Sequence, residues 1–545
     1  MKKVKQNLAD ELEEALGAEV NLNDIEVPDG EHGDFAYPAM KAASELGDSP
    51  RNIAEKAKDT LEELDFVEKI EIAGPGYVNF FLDKKFYAEK VFETVDSEDM
   101  GVEQKDGNAL VEFSSPNLAK PMHVGHLRNN VLGDSIQRMM RFAGYDVTSE
   151  NYIGDWGTKH GQVIYGYKLW GDEQKFHEAP MDHMYELYVK LNQEADEEMQ
   201  ETAREWSKKI EDGDNEAVEL WERFRKATIE YNEVDYERMN IHFDRVTGES
   251  VVAEHAEELI EEGLEKGIFE KDDDGSVYVE FEDEDLPSTI IKRSDGSTLY
   301  LTRDLANIIK RENEGFDYNF YVVATEQNLH FKQLFAVAKQ FGVEDIVSEH
   351  ISYGLLHLED GSISSSKGNI ITLRDVLDEA KEKAEEVDER EIGNAEAVGQ
   401  GALKYANLSV SRPKDIEFSW DRALSFEGDS GPYLQYSNVR AKSILRKTDA
   451  DGELAGEFNE EEYRLVKKLG EFPEKVDNAV EARDPAKIAN YLSGLSEVFN
   501  SFYHSQPVID SEEEDRKRRV ALIENFISVT DKGLDLLGIE ALEEM

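Results

Sequence analysis

A strand, loop and helix pattern at residues 109–126 constrains the fold more than any other part of this sequence. The apolar run at 109–113 ends in Ser114-Ser115-Pro116-Asn117, which is typical of a turn, and Lys120-Pro121-Met122-His123-Val124-Gly125-His126 follows it. This order predicts a buried strand, a loop and the start of a helix. It therefore favours an α/β architecture over an all-helical or all-β one.

The two histidines of this motif predict a phosphate-binding site. Both imidazoles stand at the N-terminus of the predicted helix, where unpaired backbone N–H groups and the helix dipole favour an anion. Gly125 between them leaves room for a nucleotide base or ribose to approach the backbone. The alternative for the motif by itself is a pair of surface or capping histidines.

Length and composition exclude several classes of protein. A chain of 545 residues should hold about three or four domains. No stretch approaches the roughly 18 consecutive apolar residues of a membrane helix, and the N-terminus has no signal-peptide pattern, so we expect a cytoplasmic protein with no membrane partner. The absence of cysteine excludes disulfides, thiolate zinc sites and cysteine nucleophiles, so the expected metal is Mg²⁺ and not zinc.

The charge balance predicts adaptation to salt. The chain has 120 Asp and Glu against 61 Lys and Arg, a net charge of −59. The acids are spread through every segment, which favours a protein of a salt-rich cytosol, where the Debye length falls to about 3 Å at 1 M salt. Acidic runs that bind a basic partner are the weaker alternative. Because a basic patch is missing, only motifs can argue for a nucleic-acid partner.

The first part of the chain, residues 1–105, is expected to form a small α/β domain. Helical patterns cover 4–16 and 49–64, and strand patterns cover 67–72 and 77–82. The polar, acidic stretch 97–108 is typical of a linker.

Residues 106–405 are expected to form a parallel-sheet domain. Strand patterns at 289–292 and 320–324, each followed by a helical pattern, resume the strand and helix alternation of that sheet. A helical insertion at about 170–285, containing the long charged segment 173–238, interrupts it. From residue 401 no strand is predicted, so residues 406–545 should form an all-helical domain.

Together these features resemble a class I aminoacyl-tRNA synthetase, and more closely an arginyl-tRNA synthetase of a halophilic, archaeal type. The resemblance rests on the motif around the two histidines, on residues 152–157, 295–304 and 402–435, and on Leu537-Gly538-Ile539-Glu540. It implies a Rossmann-type catalytic domain with a helical insertion, an N-terminal domain that binds the tRNA elbow and a helical anticodon-binding domain.

The same resemblance implies the reaction. ATP activates L-arginine as an adenylate, and the arginyl group passes to the 2′-hydroxyl of the terminal adenosine of tRNA(Arg). It further implies that bound tRNA is needed for activation, that Mg²⁺ accompanies ATP and that the protein is a monomer.

For ATP, the resemblance implies that His123, His126 and Lys120 are catalytic and that Gly125 lies against the nucleotide. The family's mobile Lys-Met-Ser-Lys-Ser loop falls on residues 362–366, and it implies ATP-binding roles for Ser364, Ser365, Ser366, Lys367 and Gly368. Both usual lysine positions are serine here. A lysine there would neutralise charge on the departing pyrophosphate, and the resemblance implies that Lys120, just upstream of the histidine motif, substitutes for it, with Lys367 as the next candidate.

For arginine, Tyr300 and Asp304 are four residues apart and face one pocket if a helix begins near Tyr300. A guanidinium is best held by carboxylates beside an aromatic wall. The resemblance completes the arginine-binding set with Asn117, Glu249 and Gln327. Without the motif, Asp304 would be a solvated surface acid and Tyr300 a core aromatic.

In the C-terminal domain, candidate tRNA contacts are Tyr433, Gln435 and Tyr436, and then Phe499, Phe502 and Tyr503. Such side chains can stack on or bond to splayed bases. Aromatic residues at helical spacing are equally consistent with core packing.

Two other functions stay open at this point. Another class I synthetase would share both nucleotide motifs. A catalytically silent, synthetase-like protein that binds tRNA is the second alternative, and the serine-rich loop is its only support.

Overall fold

The computed structural model of this chain describes residues 2–28, 32–281, 286–294, 298–358, 371–387 and 394–545. None of the helices in these ranges combines the length and the apolar character needed to cross a lipid bilayer.

The N-terminal region is a small helix-on-sheet unit. Its elements are α1 Lys2–Leu16, β1 Phe35–Pro38, α2 Ala43–Leu46, α3 Pro50–Leu61, β2 Val67–Ala73, β3 Tyr77–Leu82 and α4 Lys84–Val95. The strands form an antiparallel sheet in the order β1-β3-β2. Helix α3 begins where the Ser49 side chain accepts a hydrogen bond from Asn52 N, as an N-cap residue does. The helices and strands predicted for this region are confirmed.

The middle of the chain alternates strands and helices. Its elements are β4 Asn108–Glu112, α5 Val124–Phe142, β5 Asp146–Ile153, α6 Thr158–Trp170, α7 Glu173–Glu178, α8 Pro180–Glu194, α9 Glu197–Glu211, α10 Asn215–Arg238, β6 Arg245–Gly248, α11 Ala253–Glu265, β7 Phe269–Lys271, β8 Val277–Val279, β9 Thr289–Lys292, α12 Tyr300–Asn313, β10 Tyr318–Ala324, α13 Asn328–Gln340, β11 Val347–Tyr353, β12 Leu356–Leu358 and α14 Leu373–Val387.

The C-terminal region is helical apart from one short strand. Its elements are α15 Ala395–Leu408, β13 Ile416–Phe418, α16 Trp420–Ala423, α17 Gly431–Leu445, α18 Glu460–Gly470, α19 Phe472–Ala482, α20 Ala486–Ser505 and α21 Glu513–Leu536. Strand β13 pairs with β12 in parallel. The prediction that no strand follows residue 401 is therefore wrong for three residues, because so short a strand leaves no periodicity to detect.

The central sheet determines where a ligand can bind. Its order is β11-β10-β4-β5-β6, and every neighbouring pair is parallel. The chain runs outward from β4 through β5 to β6 and later returns on the other side of β4 as β10 and β11. The direction of winding thus reverses between β4 and β10. In an open parallel sheet the crevice at the carboxyl ends of two such strands is the usual ligand site.

Two expectations for the middle of the chain are wrong. Helices fill 173–238, but β6 then joins the main sheet, and β7, β8 and β9 form a separate antiparallel sheet. The insertion is therefore not helical throughout 170–285, and the strand predicted at 289–292 does not belong to the parallel sheet. Strands of three or four residues are too short to show which sheet they join.

A buried ionic cluster lies inside the central sheet. The Arg311 guanidinium is fully buried and donates to Glu112 on β4, to Glu150 on β5 and to Asn319 Oδ1 at 3.0 Å. Burial raises the pKa of the Glu112 carboxyl to about 7 although Arg311 opposes the rise. For Glu150, Arg311 and Arg245 outweigh burial, and its pKa is lowered. The cluster connects β4, β5 and β10 through α12, the helix that carries Tyr300 and Asp304.

Candidate active site

The loop between β4 and α5 has a strained backbone and is held in place by hydrogen bonds to another helix. Ser114, Ser115 and Ala119 all have left-handed backbone conformations, with φ of 72°, 47° and 56°, which are costly for residues with a Cβ. Ser114 Oγ lies 2.6 Å from the Tyr236 hydroxyl, and Ala119 N donates to Thr228 Oγ1 at 3.1 Å. Both partners lie on α10, so a helix of the insertion stabilises the loop that carries the histidine motif.

The two histidines are oriented by their own backbone. His123 is the N-cap residue of α5, and its Nδ1 accepts from Gly125 N at 3.1 Å. His126 Nδ1 accepts from His123 N at 3.1 Å. An imidazole whose Nδ1 accepts a hydrogen bond carries its proton on Nε2 when neutral. Both rings therefore present Nε2–H donors from the first turn of α5.

The charge of these rings follows from their surroundings. Burial lowers the pKa of His126 to about 3, with the neighbouring His123 acting in the same direction. Burial, and then the charge of Lys120, also lowers the pKa of His123. The histidines thus act at neutral pH as uncharged N–H donors beside a helix N-terminus, and the positive charge near them comes from Lys120.

Gly125 is required by the histidine pair itself. A Cβ at this position would lie 2.8 Å from His123 Cε1 and 3.0 Å from its Nδ1. Any larger residue would displace the His123 ring. The sequence predicts a glycine here because a ligand approaches the backbone closely, and the contact with His123 is a second reason for it.

The backbone after the second ATP motif pairs with the histidine motif. Leu373 N donates to Met122 O at 2.8 Å, and Val124 N donates to Ile371 O at 3.3 Å. The chain therefore returns to His123 directly after residue 370. The predicted loop residues Ser364, Ser365, Ser366, Lys367 and Gly368 lie outside the described residues.

Lys120 stands near the two histidines, and Lys159 stands near Lys120. Lys120 is partly buried, and burial and then the charge of Lys159 lower its pKa. Lys159, in the first turn of α6, is exposed and also acts on Glu249. Lys159 lies two residues after the Gly-rich stretch 152–157 and was not among the predicted site residues.

Asn117 lies at the junction of two loops. It forms a parallel bridge with Gly154, and Gly154 N donates to Pro116 O at 3.0 Å. A Cβ on Gly154 would lie 3.0 Å from Asn117 Oδ1. The loops after β4 and β5 are thus adjacent at the carboxyl edge of the sheet, with Asn117 exposed between them.

Asp155 fixes the segment that contains Glu249. Its fully buried carboxylate accepts from Ser250 N at 2.9 Å and from Ser250 Oγ at 2.9 Å, and it accepts from Arg225 Nε at 2.8 Å. Glu249 itself is 7% exposed. Asp155 therefore connects the loop after β5, helix α10 and the Glu249 segment, a role that the sequence did not reveal.

Tyr300 and Asp304 lie where the sequence placed them, on the first turns of α12. Tyr300 is 55% exposed and Asp304 is partly buried. The charges of Asp304 and Glu249, after burial, raise the pKa of the Tyr152 hydroxyl, so these three side chains share one electrostatic environment. Gln327 is exposed just after β10.

Each of the two carboxylates predicted to bind arginine, Asp304 and Glu249, has a basic neighbour that was not among the predicted site residues. His330 Nε2 lies 2.7 Å from Asp304 Oδ2, a distance at which the imidazole donates and the carboxylate accepts. Arg303 Nε lies 3.2 Å from Glu249 Oε2. In the sequence, only the positions of these two basic residues point to the site. Arg303 directly precedes Asp304, and His330 lies one helical turn after Gln327.

The candidate tRNA contacts divide into buried and accessible residues. Gln435 is fully buried, and its amide donates to Ala397 O at 3.3 Å and Glu540 O at 3.0 Å; Phe499 and Phe502 are also fully buried. These three are core residues and are removed from the candidates. Tyr433 and Tyr436 are partly exposed, and Tyr503 is 38% exposed.

Among the described residues, no group of three or more His, Asp or Glu side chains is arranged to hold a metal ion. The arrangement offers a phosphate the Nε2–H donors of the two histidines and the charge of Lys120. It offers an organic cation the carboxylates of Glu249 and Asp304.

Three family models match successive parts of the chain. Residues 2–82 match the arginyl tRNA synthetase N-terminal domain, residues 94–420 the catalytic domain of class I (R) tRNA synthetases, and residues 434–545 the DALR anticodon-binding domain.

Similar proteins extend over the whole chain. An arginine–tRNA ligase of Halothermothrix orenii is 36% identical over 570 aligned positions, covering 99% of each chain. One of Alkaliphilus metalliredigens is 37% identical, covering 100% of this chain and 99% of the relative.

Solved structures agree with the fold. Thermus thermophilus arginyl-tRNA synthetase superposes with a TM-score of 0.80 at 26% identity, with both chains covered fully. The Plasmodium falciparum enzyme has a TM-score of 0.79 at 22% identity, covering 100% of this chain and 99% of that one; at that identity it supports the fold alone.

Proposed function

The chain belongs to the class I arginyl-tRNA synthetases, and from this premise we propose how its residues carry out the arginine–tRNA ligase reaction. The protein is an arginine–tRNA ligase with a Rossmann-type catalytic domain, an N-terminal domain and a helical C-terminal domain. Neither alternative, another class I synthetase or a silent tRNA-binding protein, is favoured by these relatives.

In the first step, an oxygen of the arginine carboxylate attacks the α-phosphorus of ATP. A carboxyl–phosphate anhydride forms, the bond between the α- and β-phosphates breaks, and pyrophosphate leaves with the electron pair. The Nε2–H groups of His123 and His126 donate to phosphate oxygens that gain charge, as preorganised donors do. The backbone contacts that fix both Nδ1 atoms as acceptors carry this assignment.

Lys120 supplies the charge that the serine-rich loop lacks. Its ammonium is close enough to act on both histidines, and Ser364, Ser365 and Ser366 provide no cation. Lys367 remains the second candidate. Mg²⁺ is proposed to arrive with the ATP phosphates, and no step here depends on it.

Arginine is held by the groups at the carboxyl edge of the sheet. Glu249 and Asp304 accept N–H bonds from its guanidinium, Tyr300 forms an aromatic wall, Asn117 holds the α-amino or carboxylate end, and Gln327 contributes nearby. The common electrostatic environment of Glu249, Asp304 and Tyr152 supports one pocket. No protein nucleophile is required, so the site acts by positioning and electrostatics.

In the second step, the 2′-hydroxyl oxygen of the terminal adenosine of tRNA(Arg) attacks the adenylate carbonyl carbon and forms an ester. The bond from that carbon to the phosphate oxygen breaks, and AMP leaves with the hydroxyl proton on its phosphate. The N-terminal domain, residues 1–105, is proposed to contact the tRNA elbow, and the domain at 406–545 the anticodon, with Tyr433 and Tyr436 as the remaining aromatic candidates. Activation is proposed to require bound tRNA. A monomer in the cytoplasm is proposed from the family resemblance.

Adaptation to high salt is proposed from the charge alone. A net charge of −59 repels itself strongly unless salt screens it. The named relatives are bacterial and give no support to an archaeal origin.

ATP–pyrophosphate exchange tests the tRNA requirement. With arginine and ATP, exchange should be seen only when tRNA(Arg) is added. Equal exchange without tRNA would contradict the proposed dependence and leave the ligase assignment intact.

A further inference from the structure

We propose that Arg303 is a positioning residue that favours the ionised form of Glu249 and thereby sets both the affinity for arginine and its dependence on pH. The inference rests on the proposed place of Glu249 in the arginine pocket. Arg303 acts on the substrate through Glu249, without needing to contact it, and its effect can be measured.

The two side chains form a buried pair of opposite charge. Arg303 Nε lies 3.2 Å from Glu249 Oε2, and the two side chains are 7% and 9% exposed. Neither of these two atoms has a hydrogen-bond partner among the described residues. Their relation is therefore one of charge, and a carboxylate with so little water depends on a neighbouring cation to remain charged.

Arg303 is held in place by its own helix start. Its Nη1 lies 3.3 Å from Thr298 Oγ1, and its guanidinium carbon lies 5.0 Å from the centre of the Tyr300 ring. A guanidinium over an aromatic face is a stabilised arrangement. The cation that faces Glu249 is thus fixed by the aromatic side chain proposed as the pocket wall.

Other charges around Glu249 do not replace Arg303. Asp304 on α12 and Asp155 after β5 are both acids and raise the pKa of Glu249, the Tyr152 hydroxyl on β5 faces it, and Lys159 on α6 lowers its pKa less than Arg303 does. Arg303 itself also faces Glu211 and His160. Arg303 is the principal cation acting on Glu249 among the described residues.

The balance leaves Glu249 poised to titrate. Burial, opposed mainly by Arg303, raises the pKa of Glu249 to about 7. Since a guanidinium needs the carboxylate form, arginine affinity should improve as pH rises through this value. An opposite charge at this distance usually lowers a carboxyl pKa by about 1–3 units, so losing Arg303 should move the midpoint upward by at least that lower amount.

The experiment is the pH profile of KM for arginine, measured by aminoacylation between about pH 6 and pH 9. For the wild type we expect KM to be about tenfold higher at pH 6 than at pH 9. Arg303→Gln should raise KM at least about fivefold at pH 7 and much less at pH 9, because one unit of upward shift reduces the ionised fraction at pH 7 from about one half to one eleventh. Arg303→Lys should keep most of the wild-type profile.

Two further variants separate the possible failures. Glu249→Gln should have a raised KM that no longer varies with pH; if it leaves KM unchanged, the proposed pocket itself is wrong and the inference falls with it. Lys310→Gln removes a charge from the exposed side of α12, where Lys310 pairs with Glu314, and should match the wild type. The inference is overturned with the pocket intact if the wild-type profile is flat, or if Arg303→Gln raises KM equally at every pH. Because the wild-type profile and Arg303→Lys are part of the test, a poorly folded Arg303→Gln does not prevent a decision.

Discussion

Replacing Arg311 with methionine should destabilise the central sheet strongly. The substitution keeps most of the aliphatic volume and removes the guanidinium from between Glu112 and Glu150. Glu150 keeps Arg245 at 2.9 Å and accepts from Thr247 Oγ1 at 2.6 Å, whereas Glu112 has no other cation partner among the described residues. Breaking a buried ion pair by removing one partner costs about 3–5 kcal/mol.

The cost should also grow with pH. In the wild type, the pKa of Glu112 is raised to about 7, so folding binds a proton below that pH and stability falls as pH rises toward it. Without Arg311 the folded pKa of Glu112 rises further, and stability continues to fall above pH 7 by up to about 1.4 kcal/mol per pH unit. The difference between variant and wild type should therefore widen between pH 7 and pH 8.5 by about 2 kcal/mol.

Thermal unfolding of the wild type and Arg311→Met at pH 7 and pH 8.5, at one fixed KCl concentration, measures the loss of stability and its pH dependence. A loss of about 3 kcal/mol lowers the midpoint by roughly 5 °C in a domain of about 300 residues. The double variant Arg311→Met with Glu112→Gln should lose the added pH dependence. A shift that corresponds to less than about 1 kcal/mol, or one that is identical at both pH values, would refute the reasoning.

Three other outcomes follow from the site and the charge. Lys120→Ala should reduce ATP–pyrophosphate exchange at least about 100-fold, as the loss of a transition-state donor does; near wild-type exchange would transfer the role to Lys367. His330→Ala should raise KM for arginine about tenfold, the value of one hydrogen bond to a charged group, with kcat little changed. His330→Gln, which can still donate to Asp304, should stay near wild type, and equal effects of both His330 variants would contradict the hydrogen-bond role. Gln333→Ala is the control, because the wild-type Gln333 amide donates to Pro287 O and not to Asp304. The unfolding midpoint should rise between about 0.1 M and 2 M KCl through screening, and NaCl at the same ionic strength should reproduce the rise; a midpoint that KCl leaves unchanged would contradict the proposed salt adaptation.

Long elements with clear periodicity were predictable from the sequence. The strand, loop and helix order around His123 and the start of α12 at Tyr300 both follow from local patterns, and the structure has them where expected. The strands β1, β6, β7, β8, β12 and β13 were missed because three or four residues do not establish a period. The strands β5 and β11, of eight and seven residues, were also not predicted, because polar residues interrupt their apolar pattern.

The residues of the site also divide into those that the sequence could predict and those that it could not. His123, His126, Tyr300 and Asp304 lie within single motifs, so their neighbours along the chain identify them. Arg303 and His330 acquire a role only from partners brought close by the fold, 54 and 26 positions away in sequence, and local pattern holds no information on such pairs. Gln435 was wrongly expected to reach tRNA because helical spacing does not distinguish a buried face from an exposed one.

The most direct test of the account is ATP-dependent charging of a mixed tRNA pool with each amino acid separately, in high KCl with Mg²⁺, for the wild type and Asp304→Asn. The account predicts that arginine alone is esterified to tRNA and that Asp304→Asn raises KM for arginine while the protein remains folded. A folded wild type that fails to charge arginine, or an Asp304→Asn variant with an unchanged KM for arginine, would contradict it.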